Sequence, residues 1–380
     1  MIKITNIKIY LLKYNNKNPV LSSFGNIKFR SSLVIEIHDE NNNYGIGEIW
    51  CNFPNHGGRY RFEILKDYFI DFLINFQFED PSSVKKFLIE KFNSIKNQTG
   101  DFGAFENIFS GIDCAAWDLF SKIKKKPLNK LINDQSKNKI KVYASGINRD
   151  EHLERIQEAR LLGIDRFKIK IGFNILEDIK AITSIEETIA SNEKYMLDVN
   201  QAWSLDNVHE NISKLKNFKL KNFNYLWLEE PISANHSISE IVQLNKLHKN
   251  LAFGENLIYL KKFYELDNDT QIQFLQPDLA RYGGITDILD LGKNIKKNKI
   301  WLHYLGGAIG LISSAHIMSA LNPDGYLEYD INENDLRTKI VNPSFQIING
   351  YLELNENYGI GFQISDNLNQ FIDQFYEYRN

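Results

Sequence analysis

The sequence predicts an α/β protein: a closed (β/α) barrel under an α+β capping domain that is built from the N-terminal region and the C-terminal tail. Three observations predict it. Residues 1–135 pass from strand periodicity to helix periodicity, residues 136–345 alternate short apolar runs with amphipathic stretches, and residues 346–380 return to strand-like alternation. A chain of 380 residues is also too long for one ordinary core, so two domains are expected.

The opening strands follow from period-2 burial. Ile2, Ile4, Ile7 and Ile9 begin an alternation that resumes at Ser32–Ile37, and Asn41-Asn42-Asn43 supplies a turn before Gly45-Ile46-Gly47-Glu48. That pattern describes an antiparallel meander. From about 58 to 133 the apolar period lengthens to that of helices, ending in Ile112–Lys126 with Pro127 as the stop. Strands followed by helices make the α+β cap.

The barrel strands are expected around Val142–Tyr143, Phe167–Ile171, Tyr195–Val199, Tyr225–Leu228, Leu251–Gly254, Ile272–Leu275, Ile300–Leu302 and Tyr326–Leu327. Their spacing of roughly 22 to 30 residues is the period of a β/α unit. An open doubly wound sheet would also alternate strand and helix, but eight regular units favour closure. Phe345–Ile348 and Tyr351–Leu354 are expected to pack back on the capping domain.

Composition excludes several functions. Lys and Arg total 45 against 48 Asp and Glu, so no basic face is available to displace nucleic-acid counterions. The same balance gives no membrane surface, and no stretch reaches the roughly 18 apolar residues of a span. Cys51 and Cys114 are too few for a disulfide framework, which points to a reducing compartment. The N-terminus lacks the unbroken apolar run of a signal peptide, and a cytoplasmic location is expected.

The candidate chemistry lies where barrel strands end. Lys168 and Lys170, Asp198, Glu229, Glu255, Asp278, His303 and Glu328 fall within or at the C-terminal ends of successive predicted strands, and those ends converge on one mouth. Strands buried on both faces should be nearly all apolar, so ionisable groups there need partners or a ligand. Asp198, Glu229 and Glu255 together offer a hard, all-oxygen site with open positions, which suits one Mg²⁺; salt bridges and helix caps are the alternative for any one of them. Lys168 and Lys170 share a face by period 2, and two ammonium groups side by side would depress one pKa, leaving one lysine as a base and the other charged toward an anion. Asp278 would orient the His303 imidazole and raise its basicity. Glu328, if protonated, could donate to a substrate carboxylate oxygen. A lone histidine or glutamate is as often a packing residue, and it is the company of the others that favours catalysis.

At these residues the chain resembles the mandelate racemase-like subgroup of the enolase superfamily. Gly111-Ile112-Asp113-Cys114-Ala115-Ala116-Trp117-Asp118-Leu119 is similar to the family's helix closing the cap. Phe167–Gly172, Leu197–Trp203, Trp227-Leu228-Glu229-Glu230-Pro231, Gly254-Glu255-Asn256 and Gln276-Pro277-Asp278 with Gly283-Gly284-Ile285-Thr286 resemble its second to sixth strand motifs, in order. The resemblance implies a (β/α)7β-type modified TIM barrel, Mg²⁺ on Asp198, Glu229 and Glu255, and Glu230 behind them. It also implies a homo-oligomer and a small carboxylate substrate. Two departures stand out: Ile132-Asn133-Asp134 replaces the usual Leu-Gly-Gly after the capping helix, and Tyr304-Leu305-Gly306-Gly307 follows His303.

Lys170 and His303 would then flank the α-carbon of the substrate, with Lys168 and Glu328 assisting Mg²⁺ in stabilising an enediolate. Ser22–Asn26 and Asn52–Arg61, including His56 and Arg59, are polar, glycine-rich segments lying where the family's specificity loops fall, and Asn200 could bond a substrate hydroxyl. These features favour dehydration of an acid sugar to a 2-keto-3-deoxy acid. A racemase or epimerase of a 2-hydroxy acid is the alternative, and a non-catalytic ligand-binding barrel represents a different class.

Overall fold

The computed structural model describes residues 1–22, 25–217, 225–269 and 272–379. The cap is an antiparallel sheet of β1 (Ile2–Ser22), β2 (Gly25–Asp39) and β3 (Tyr44–Ile49), with β4 (Gln77–Phe78) paired to the start of β1. Register sets Ile7 opposite Ile37 and Ile9 opposite Ile35, so one face is apolar throughout. The Asn-rich turn forms because Asp39 Oδ1 accepts from the backbone N–H groups of Asn41 and Asn43, at 2.9 and 2.8 Å, while Asn42 takes φ 61°.

Two helices, Pro81–Thr99 and Phe102–Ile123, cover that face. The first starts at Asp80, whose side chain accepts from Ser82 N–H, and stops at Gly100 in the left-handed region. The second rides directly on β3. A Cβ at Gly45 or Gly47 would lie 2.0 Å from a carbonyl oxygen of that helix, so these two glycines permit the close approach.

Eight parallel strands follow: β5 (Lys139–Asn148), β6 (Arg166–Lys170), β7 (Lys194–Asp198), β8 (Tyr225–Glu229), β9 (Leu251–Phe253), β10 (Phe274–Leu275), β11 (Lys299–Ile300) and β12 (Tyr326–Asp330). They neighbour one another in chain order, β12 returns to pair with β5, and Glu328 N–H donates to Leu302 O at 3.3 Å across the remaining seam. The barrel is closed. Aromatic rings fill its floor, with Trp227, Phe274, Trp301 and Tyr326 in successive contact at centroid distances of 4.7, 4.8 and 4.9 Å.

The tail divides, where one destination was expected. β13 (Val341–Asn342) pairs with β16 (Gln363–Ile364), and β14 (Ile347–Ile348) forms a hairpin with β15 (Tyr351–Glu353). β15 then adds antiparallel to residues 139–141 of the barrel, and of these late strands only β17 (Ile372–Arg379) joins the cap, on the free edge of β1. The reason is an open edge: β6 pairs with β5 only from Ala144 onward, leaving the first residues of β5 unpaired on that side. Among the described residues no helix is long and apolar enough to cross a membrane.

His316, in the helix Ala308–Leu321, ties three segments together. Its Nδ1 accepts from Asn129 N–H at 3.2 Å and its Nε2–H donates to Ile360 O at 3.0 Å, and burial lowers its pKa to about 4. Below pH 6.5 the unfolded chain gains a proton that the folded chain refuses, so stability is lost as pH falls toward 4. At pH 5 the cost relative to pH 7 is about 2 kcal/mol, from 1.36 kcal/mol per pKa unit. Thermal melts of wild type and His316→Gln should show a steeper acid loss in wild type; parallel slopes would refute the assignment.

Candidate active site

The parallel ladder places the site. Lys170 is opposite Asp198, and Asp198 opposite Glu229, so three strand ends present their polar residues at one level. Glu255, Asp278 and His303 sit just past β9, β10 and β11, on backbone still held in ladder fashion by His303 N–H to Pro277 O at 3.1 Å. At Gly254 a Cβ would lie 2.4 Å from the backbone of Gln276, so this neighbouring pair of strand ends closes up only with glycine there.

Lys168 stands at the centre, 3% exposed. Its Nζ lies 2.5 Å from Glu229 Oε1, 2.9 Å from Glu328 Oε1 and 3.7 Å from Asp198 Oδ2. Burial alone would lower the lysine pKa, but Glu229 and Glu328 overcome it and hold the ammonium well above its usual value. Lys168 is thus the member of the lysine pair that stays charged, because carboxylates outnumber cations around it. Glu328 departs from expectation: Lys168 and His303 offset its burial and keep it below the ordinary range, an ionised acceptor that also receives Tyr143 O–H at 3.1 Å. Glu229, by contrast, is pushed up to about 7 by burial and by Asp198 and Glu328, against the pull of Lys168.

His303 is held from both ring nitrogens, with Nδ1 2.8 Å from Asp278 Oδ2 and Nε2 2.7 Å from Glu255 Oε2. Burial opposes its charge, yet Glu328 and Glu255 raise the imidazole well above its usual pKa, so it carries a proton on each nitrogen. Asp278 is fixed in turn by the backbone N–H groups of Ala280 and Arg281. Glu255 receives Arg281 Nη1–H at 2.9 Å as well, and His303 with Arg281 keeps it far below the usual carboxylate range despite burial.

Glu230 lies behind this layer and accepts from Asn256 Nδ2–H at 2.5 Å and from the Gly254 and Asn256 N–H groups. Burial and the charge of Glu255 push it up to about 8. Glu230, Asn200 and Gln201 all have positive φ, 35°, 50° and 60°, a local strain that the surrounding hydrogen bonds sustain. Asn200 points its amide at Glu255 Oε1, 3.4 Å away, while its N–H donates to Asp198 Oδ1 at 2.8 Å.

The donors fit a divalent cation in chemistry. Asp198, Glu229 and Glu255 are buried carboxyl groups from consecutive units, and with Glu328, Glu230 and Asp278 they outnumber the nearby cationic groups of Lys168, Lys170, Arg281 and His303. Among the described residues their oxygens do not converge as a preformed metal cage, since each is turned toward a lysine, an arginine or the imidazole. Those three residues could hold the ion once these side chains re-aim.

A cavity of about 60 Å³ opens between Lys170 and His303, bounded by Asn200, Arg281 and the apolar Trp50 and Phe53 from the cap. It is far smaller than the roughly 300 Å³ at which ligand pockets begin, so a sugar acid enters only if lining side chains move. His56 and Arg59 are exposed and do not line it. His56 is the N-cap and Arg59 lies in the first turn of the helix Gly57–Ile64, whose inward face carries Arg61 instead. Of Ser22–Asn26, Ser23 and Phe24 lie outside the described residues. Arg281 was not singled out by sequence reasoning, although it is the sole basic residue of its segment. Its guanidinium lies over the Trp50 ring at 4.4 Å, and its carbonyl accepts from Asn107 of the capping helix at 2.6 Å.

Residues 151–368 match the family model described as Enolase C-terminal domain-like. Arabinonate dehydratase from Saccharolobus solfataricus is 29% identical over 68% of this chain and 69% of its own length. L-Talarate/galactarate dehydratase from Salmonella typhimurium is 28% identical over 76% and 70%, and D-galactarolactone cycloisomerase from Agrobacterium fabrum 24% over 97% and 98%. Among solved structures, a mandelate racemase/muconate lactonizing enzyme from Bordetella bronchiseptica superposes with TM-score 0.83 at 27% identity, covering 97% of this chain and 98% of that one. The Salmonella dehydratase with Mg and L-lyxarohydroxamate shares the fold at TM-score 0.82 and 22% identity, over 100% and 95%. With a barrel, a cap and a family match spanning more than half its residues, the chain belongs to the enolase superfamily.

Proposed function

We propose that this protein is an acid-sugar dehydratase that removes the proton α to a carboxylate and expels a β-hydroxyl as water, yielding a 2-keto-3-deoxy acid. The observation that carries the reading is the placement of Lys170 and His303 on the wall of one cavity beside the Asp198, Glu229 and Glu255 carboxylates. A divalent cation on those carboxylates, Mg²⁺ by the hardness of the donors, would supply Lewis-acid stabilisation of charge developing on the substrate carboxylate.

The chain's own residues divide the remaining work. Lys170 takes the α-proton at Nζ. His303, held as an imidazolium between Asp278 and Glu255, is set up as the donor, releasing its Nε2 proton to the leaving hydroxyl. At an α-carbon whose proton faces the imidazole the roles exchange, neutral His303 taking the proton at Nε2 and Lys170 donating. Asp278 keeps the ring oriented during both states. Lys168 keeps its positive charge beside Glu229 and Glu328 and offsets charge arriving at the strand ends. Asn200 can meet substrate hydroxyls. The known activities of arabinonate and galactarate dehydratases among the relatives support this class.

A racemase or epimerase of a 2-hydroxy acid is the second reading, favoured by the apolar cover that Trp50, Phe53 and Leu305 place over the cavity. The two differ in one measurable event. With Mg²⁺ in deuterated water, a panel of acid sugars should give a 2-keto acid trapped by semicarbazide; deuterium at the α-carbon with no loss of water would instead identify the epimerase.

Lys170→Ala and His303→Asn should each lower turnover by about 10²- to 10⁴-fold, the usual worth of a general acid or base, while calorimetry still registers Mg²⁺. Asp198→Asn should lose Mg²⁺ binding. Wild-type calorimetry with no Mg²⁺ uptake would refute the proposed function.

A further inference from the structure

The cap touches the barrel mouth through alternate residues at the end of β3. Glu48 Oε1 accepts from Gly307 N–H at 2.6 Å and Oε2 from Gly310 N–H at 3.0 Å, anchoring the first turn of the helix Ala308–Leu321. Trp50 N–H donates to Ala280 O at 3.3 Å, and Asn52 Nδ2–H to Leu305 O at 2.8 Å. Glu48 is 4% and Asn52 8% exposed, so these bonds are shielded from water. A Cβ at Gly307 would lie 2.8 Å from Glu48 Oε1, so any other residue there would push the Glu48 carboxylate off its backbone partners.

The loops so gripped are the two that carry the dyad. Residues 278–282 hold Asp278, and residues 303–307 hold His303 and run on to Glu48's partners. At their base the loops are joined by His303 N–H to Pro277 O, but farther along it is the cap that spans them. We propose that Glu48 and Asn52 are positioning residues for proton transfer at His303: they fix the loop after β11 from outside the barrel, and so set where the imidazole stands relative to the α-carbon. Lys170, at the C-terminal end of β6, is held instead by the barrel ladder between β5 and β7. The inference rests on the assignment of His303 under the proposed function and adds to it a cause in the cap.

The test separates the two faces of the site. Galactarate is a meso diacid with α-carbons of both configurations, and its exchange in deuterated water with Mg²⁺ can be followed by NMR. Its α-protons are equivalent by NMR, so the faces are separated by variants: exchange left in Lys170→Ala is His303-dependent, and exchange left in His303→Asn is Lys170-dependent. Added to Lys170→Ala, Glu48→Gln and Asn52→Leu should each slow exchange about 10- to 100-fold, the cost of a misplaced catalytic group; added to His303→Asn, they should change it less than about twofold. Equal losses on both faces would mean general destabilisation and would overturn the inference, as would an unchanged His303-dependent rate. If wild type neither exchanges nor dehydrates galactarate, the proposed chemistry fails instead. Amide deuterium uptake over residues 303–310 then decides the positioning claim, which requires faster uptake in both variants and is overturned by uptake equal to wild type.

Discussion

A buried ammonium surrounded by carboxylates is the interaction on which the mouth of this barrel depends. Lys168 lies within 4 Å of Glu229, Glu328 and Asp198, each almost wholly removed from water. An isolated carboxylate in such a place would protonate rather than stay charged. One central cation allows Glu328 to remain ionised, and Arg281 with His303 does the same for Glu255. Glu229, fully buried and with more negative neighbours than positive ones, is left with a raised pKa. The network is thus short of positive charge, which is the electrostatic form of an ion site.

The second dependence is on the cap. Its core is separate, a cluster of isoleucines and phenylalanines with Phe69 and Phe92 stacked at 4.0 Å, but its functional contribution lies in a few polar contacts with the barrel loops. Trp50 covers the cavity and carries the Arg281 guanidinium, while Asn107 holds the Arg281 carbonyl. A barrel stripped of this cover would keep its strand-end carboxylates and lose both the water-excluding roof and the anchorage of Arg281. The proposed removal of a proton from carbon would gain from the roof, since stabilising charge is worth most where water is excluded.

Much of this was legible before the fold. The order of the barrel strands followed from the βα period, and Lys168, Lys170, Asp198, Glu229, Asp278, His303 and Glu328 fell at the mouth because strand C-termini converge there whatever the side chains are. The cap loops were less legible. His56 and Arg59 belong to a polar, glycine-rich segment that looks like a binding loop, yet the helix starting at Gly57 turns them outward and brings Arg61 in. A loop has no period from which its inward face can be read. Arg281 carries no pattern either; its importance comes from Glu255, Asn256 and Trp50, which converge on it in space.

By itself the sequence determined the kind of fold and the chemical identity of the groups at the strand ends, because burial periodicity and β/α connectivity are local properties written residue by residue. Only the tertiary structure decided which groups share charge and which stay protonated. Lys168 meets Glu229 across 61 residues of chain, and Tyr143 meets Glu328 across 185. Desolvation and Coulomb energies sum over such neighbours without regard to sequence distance. The same reason explains the divided tail, whose β15 fills an edge of β5 that is open only because β6 begins its pairing later.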